Sequence, residues 1–324
     1  MAIRPTTAWI VPAGLAAICL CLVIGSVNSA LFAQQTVSGL ANGGIYASLA
    51  VALVVIYRAT EVINFAQGAI ATFTTYIAWQ LISWGLSYWE AFFATLGIAF
   101  AIGFGLELVA IRPVERRGNQ LTVVIAAIGL LILVEGATAW IWGNQIKFMP
   151  APFPAHIYRV GNVSFSRQDL STIAISIAAV VLLWLFFQFT KAGLAMRAAA
   201  VRPDAARLVG VRVSWMLSLG WGLAAMLGAV AGMMAAASPS TLLQPSMMDT
   251  VLIYAFAAAV IGGLESAAGA VIGALLIGVA LNLLSAYVSW VTPQLTLPAA
   301  FVLMLVFLLV KPSGLFGRTR VRKV

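Results

Sequence analysis

The chain of 324 residues is 63% apolar and only 8% charged, and its 18 basic and 9 acidic residues give a formal net charge of +9. Soluble domains run at roughly 45–50% apolar and about 25% charged, so these few charges cannot cover a water-facing globule. Disorder, a collagen-like fibre and a disulfide-stapled secreted module are excluded by the same arithmetic, which leaves an integral membrane protein, all-α, built as a polytopic transmembrane helix bundle.

A spanning helix needs about 20 mostly apolar residues, and polar breaks divide the chain into ten such stretches. They run from Ala8 to Leu31, Ser38 to Tyr57, Ile63 to Trp84, Ala91 to Ile111 and Leu121 to Trp142. The rest run from Leu170 to Thr190, Ser214 to Ala236, Thr250 to Leu264, Ala267 to Val288 and Thr296 to Val310. The stretches opening at Thr250 and Thr296 are short for a full crossing, so about 8–10 membrane helices are expected, some of them re-entrant. The first stretch also has the outline of a secretory signal, with Arg4 ahead of an apolar run that ends in Ser26-Val27-Asn28-Ser29.

Alternating sides from a cytoplasmic N-terminus puts 15 basic residues on one face and only Lys147, Arg159 and Arg167 on the other. That asymmetry predicts both termini in the cytoplasm, and Trp84, Trp89, Trp140, Trp142 and Trp290 then fall near the outer boundary as interfacial anchors. The basic balance is therefore a topology signal and implies no nucleic-acid partner.

Cys19 and Cys21 stand two apart inside one apolar run, and the single His156 lies among prolines, so no disulfide, metal site or cofactor is expected. Small residues form three ladders at every fourth position. These are Gly39, Gly43, Ala47; then Ala224, Gly228, Gly232, Ala236; then Gly262, Ser266, Ala270, Ala274, Gly278, widened by Gly269 and Gly273. Small faces let helix backbones approach in lipid, and the last ladder is expected on one helix or on two nearly collinear ones.

The four lysines are followed by Phe148, Ala192, Pro312 and Val324, so no GxxxxGK[ST] phosphate loop exists and the chain has no ATPase motif of its own. Neither HExxH nor GxSxG occurs, and no catalytic residue is assigned. Polar groups at membrane depth are the better lead, because they face protein or water. Asn42, Asn64, Gln67 and Glu135 are candidates for the substrate pathway, with helix-to-helix bonding as the alternative role; Asn282 is a further amide at that depth. The segment from Lys191 to Val213 carries five basic residues and Asp204. Pro203 and Asp204 predict the start of a short helix with Gly210 as its stop, and Ala205, Ala206, Leu208 and Val209 need something to pack on.

Five strings in order, Gly39 to Tyr46, Val62 to Gly68, Gly193 to Ala198 with Ala205 to Gly210, Gly262 to Ser266 with Gly269, and Lys311 to Gly317, resemble the permease subunits of branched-chain amino acid ABC importers. The form Asn64-Phe-Ala-Gln-Gly68 is similar to the H-type permease of the usual pair; Glu265 departs from the small residue more usual there. The resemblance implies a single transmembrane permease domain over residues 1–324, in a bacterial inner membrane. It also implies a second permease, two cytoplasmic ATPases, an external substrate-binding protein and membrane lipid as partners. Pro203, Asp204, Ala205, Ala206, Arg207 and Gly210 would then form the coupling contact with an ATPase, and the transport cycle would be alternating access. Related importers carrying urea or amides keep the solute open. An ion-coupled secondary transporter is the rival mechanism; it is expected to show internal repeats, broken helices and acidic coupling sites, and no repeat is visible by eye.

Overall fold

A computed structural model describes residues 29–60, 62–118, 120–154, 156–160, 163–238, 241–289 and 291–316. The first predicted span, both cysteines and Trp290 lie mostly or wholly outside the described residues. Helix α1 (Ser29–Thr60) is followed by α2 (Gln67–Ser83), α3 (Tyr88–Leu106), a π-helical turn Glu107–Ile111, α4 (Arg112–Arg117) and α5 (Gln120–Trp142). An antiparallel hairpin, β1 (Ile157–Val160) and β2 (Val163–Ser166), precedes α6 (Arg167–Phe189). Then come α7 (Lys191–Val201), α8 (Pro203–Leu208), α9 (Val213–Ala236), α10 (Met247–Gly262), α11 (Ala267–Tyr287) and α12 (Thr296–Val310).

Six of these stretches, among the described residues, are long and apolar enough to cross a membrane, while α10 and α12 are apolar but shorter. The apolar windows of α1 and α9 are 78% and 83% buried, against 28% for α3 and for α5 and 22% for α6. Two central helices therefore carry a peripheral ring whose outer faces remain apolar, the arrangement expected where lipid replaces water.

Packing reveals an internal repeat that the sequence hides. Helix α1 packs on α11 as α9 packs on α3, α10 packs on α1 as α2 packs on α9, and α2 meets α3 and α5 as α10 meets α11 and α12. The two halves run in opposite senses, because the end of α1 (Arg58, Ala59), the start of α9 (Val213, Met216) and the start of α11 (Ala267, Ala268) line one common cavity. Each half also contains the same interruption. A short irregular stretch precedes α2 and α10, closed by Gln67 N–H to Asn64 C=O at 3.2 Å in one half and by Met247 N–H to Gln244 C=O at 3.0 Å in the other. The relation lives in helix order and crossing points, which reading the sequence by eye does not reveal.

Glycines set the crossings. A Cβ on Gly39 would stand 2.7 Å from Val279 Cα and one on Gly43 2.9 Å from Leu275 Cα, so α1 and α11 touch backbone to backbone. Gly228 lies against Gln67 Nε2 and Gly232 against Thr75 and Ala71, seating α9 on α2, while Gly273 meets Ala258 C=O between α11 and α10. The ladder from Gly262 to Gly278 is not collinear as expected. Gly263, with φ 99°, turns the chain back, and Gly262 and Gly269 face each other across the resulting hairpin. The tail seals that hairpin through Leu315 N–H to Ile261 C=O at 2.7 Å and Phe316 N–H to Gly262 C=O at 3.1 Å.

Candidate functional site

The polar candidates separate into a group at mid-depth, a pair across two helices, a latch at the basic end and an elbow beside it. At mid-depth, Gln67 Nε2 donates to Ala224 C=O on α9 at 2.8 Å, Asn64 Nδ2 donates to Gln67 Oε1 at 3.4 Å, and Asn64 Oδ1 accepts from Ala66 N–H at 3.1 Å. Both amides are 1% exposed. They brace the interruption before α2 by supplying partners that a broken helix otherwise lacks.

The first turn of α2 touches the first turn of α10, where a Cβ on Gly68 would lie 3.2 Å from Met248 C=O and 3.3 Å from Leu252 Cβ. Beside this junction stands Asp249, in the first turn of α10, whose electrostatic interaction reaches Glu135 of α5. The apolar run read from the sequence opens at Thr250, one residue past Asp249; the interruption before α10 is what carries Asp249 inward. Two helix starts, each carrying partial positive charge, therefore meet beside Asp249. Asn42 stands apart from this group: its Nδ2 donates to Asn282 Oδ1 at 3.5 Å across the α1–α11 crossing.

At the basic end, Glu107 is 1% exposed and is the one carboxylate in the buried set among the described residues. Arg112 donates to it through Nε at 3.2 Å and Nη2 at 2.9 Å, and Nη2 also donates to Ser214 C=O at 2.9 Å. The hydroxyl of Ser218 donates to Glu107 Oε2 and lies against Arg112 Nη2. Residues five apart face one another on the π-turn, a spacing that an α-helix would rotate apart. Neither Glu107 nor Arg112 is among the residues picked out from the sequence above. The legible signal was a carboxylate inside an apolar stretch with a cation soon after it.

Between α6 and α9 the chain makes an elbow. Thr190 caps α7 by accepting from Gly193 N–H at 2.9 Å, and any side chain at Gly193 would strike Phe187, whose Cα lies 2.6 Å from a Cβ there. Pro203 occupies the first turn of α8, Asp204 pairs with Arg207 at 3.2 Å in solvent, and Gly210 ends the element at φ 83°. The apolar set expected to form one outward surface is split. Ala206 is 3% exposed and packs with Ala199 and Val213 of the same chain, whereas Leu208 and Val209 are 90% and 78% exposed and Ala205 also faces outward. At about 100° per residue Ala206 and Leu208, two apart, point about 160° from each other, so one faces the chain's own elbow while the other faces outward. No group of three or more His, Cys, Asp or Glu able to hold a metal occurs among the described residues.

The family described as branched-chain amino acid transport system permease component matches residues 35–310. A permease of Salmonella typhimurium named for high-affinity branched-chain amino acid transport, LivH, is 31% identical over 307 residues, covering 90% of this chain and 98% of that one. BraD of Pseudomonas aeruginosa is 31% identical with the same coverage, and a fructose import permease of Bifidobacterium longum, FruF, is 24% identical over 67% of this chain. The solved structure of PsaBC from Streptococcus pneumoniae covers 84% of this chain at 14% identity, with a TM-score of 0.43. With the family match spanning most of the helical bundle, the chain belongs to the branched-chain amino acid transport permeases.

Proposed function

We propose that the chain is the membrane-spanning half of an ATP-driven importer, carrying branched-chain amino acids inward across a bacterial inner membrane by alternating access. Its partners in this reading are a second permease, two cytoplasmic ATPases and an external binding protein. The observation that carries the proposal is the elbow, where Leu208 and Val209 project from a short helix between two spans of a chain that has no phosphate-binding loop. An apolar pair at this exposure suits a partner surface, and the basic residues around it support a cytoplasmic position by the positive-inside rule.

The mid-depth junction supports the solute. The starts of α2 and α10 present partial positive charge to a carboxylate, Glu135 and Asp249 suit an ammonium group, and the surrounding bundle is apolar enough for a branched side chain. Asn64 and Gln67 act in this reading as braces for the helix start, with Glu135 and Asp249 nearer the path.

The internal repeat, the two interrupted helices and the Glu135–Asp249 pair also favour a second reading, ion-coupled secondary transport, whose expected signs these are. Reconstitution with ATPase and binding-protein subunits in proteoliposomes separates the two. The importer reading expects leucine uptake that requires internal ATP, persists when ion gradients are collapsed, and is lost in Leu208→Asp although the protein inserts normally. Gradient-driven uptake without ATP would overturn it.

A further inference from the structure

We propose that the cavity framed by α1, α6, α7, α9 and α11 holds one anionic phospholipid of the cytoplasmic leaflet, its acyl chain inside and its phosphate on Arg58 and Arg197. The cavity measures about 590 Å³ and lies at the end of the bundle where α1 finishes and α9 begins. Its walls are aliphatic and aromatic, as at Val54, Leu183, Phe187 and Val271, and the charged side chains on it are Arg58 and Arg197, with no acid among them. Val181 and Trp184, 45% and 58% exposed, border it on the outer face of α6, so the space opens sideways toward the membrane rather than into the bundle.

The second observation is polar. Arg197 Nη1 donates to Gln188 Oε1 at 3.3 Å, but its Nε is buried and has no acceptor. A buried guanidinium nitrogen left unpaired is costly, and a phosphate oxygen satisfies it with a charge-assisted bond. An apolar volume with two guanidinium groups at its edge matches an acyl chain below an anionic headgroup, since cytoplasmic-leaflet surfaces attract basic residues. A zwitterionic headgroup meets the same walls but carries an ammonium group into a site without a carboxylate. Because Met196 and Ala199 of α7 and Val213 and Met216 of α9 form part of the wall, the lipid would wedge the elbow that carries Leu208. The proposal rests on the topology proposed above but not on the solute.

The purified complex in nanodiscs of equal phosphatidylglycerol and phosphatidylethanolamine, analysed by native mass spectrometry after detergent release, tests it. The wild type should retain phosphatidylglycerol in preference. Arg58→Gln and Arg197→Gln should each lower that preference about fivefold, and Arg197→Lys should retain part of it. Gly220→Leu should displace both lipids, because a Cβ there meets only Met196 Cε at 3.5 Å and Val55 Cγ1 at 3.9 Å and a larger side chain grows into the space. Should that variant fold poorly, a phosphatidylglycerol with a photoreactive acyl chain should label α6 or α11 peptides near Phe187 or Val271 in the wild type. Equal retention of the two lipids, unchanged profiles in both arginine variants, or labelling elsewhere would each overturn the proposal. Failure of leucine uptake alone would bear on the proposed function and leave this result standing.

Discussion

Removing Glu107 should unfold the basic end of the bundle more readily than any exposed charge deletion. Its carboxylate is 1% exposed, and the Arg112 side chain it pairs with is 14% exposed, so the guanidinium cannot turn to water when its partner is lost. In Glu107→Met, Arg112 keeps Ser214 C=O and the Ser218 hydroxyl as acceptors among the described residues, with the charge of Glu115 still within reach. Breaking a buried pair by removing one partner costs about 3–5 kcal/mol, whereas replacing both by apolar residues is close to neutral. Glu107→Met should therefore lose about 3–5 kcal/mol, Arg112→Met a similar amount, and the double variant far less than their sum. Against a total stability of about 5–15 kcal/mol, the single losses are large enough to see as earlier unfolding in mixed micelles titrated with SDS and followed by tryptophan fluorescence. A single loss below about 1 kcal/mol, or strictly additive losses, would refute the claim that this pair latches α3 to α9.

Two further perturbations follow from the packing. Gly43→Leu places a branched side chain where a Cβ already stands 2.9 Å from Leu275 Cα, so α1 and α11 must separate and the protein should elute as aggregate in fluorescence-detected gel filtration; a monodisperse, thermally unchanged variant would contradict the backbone-to-backbone crossing. Ala206→Glu buries a carboxylate against Ala199 and Val213 and should cost about 2 kcal/mol or more in the same unfolding assay, while Leu208→Asp, at a site 90% exposed, should leave the unfolding midpoint in place; equal effects from the two would show that the elbow is not split as described.

Much about this protein was legible from residues taken one after another. Hydrophobic run lengths determined that it is a membrane helix bundle, and Pro203 with Gly210 marked the bounds of α8, because each of these properties is local in the chain. Family membership was legible for the same reason, since Gly39 to Tyr46 or Gly262 to Ser266 can be read without knowing what they touch.

Tertiary structure alone decided which faces meet. An apolar helix in lipid is hydrophobic all round, so its sequence has no polar side to name the buried face. Whether Ala206 or Leu208 turned inward depended on the elbow at Gly193, and the pairing of Glu107 with Arg112 and Ser218 depended on a π-turn whose spacing no α-helical pattern anticipates. The interruptions before α2 and α10 are equivalent only once their helices are seen crossing, Gln67 against Ala224 and Gly68 against Met248. Contacts between residues far apart in the chain create that equivalence, and no local pattern records them.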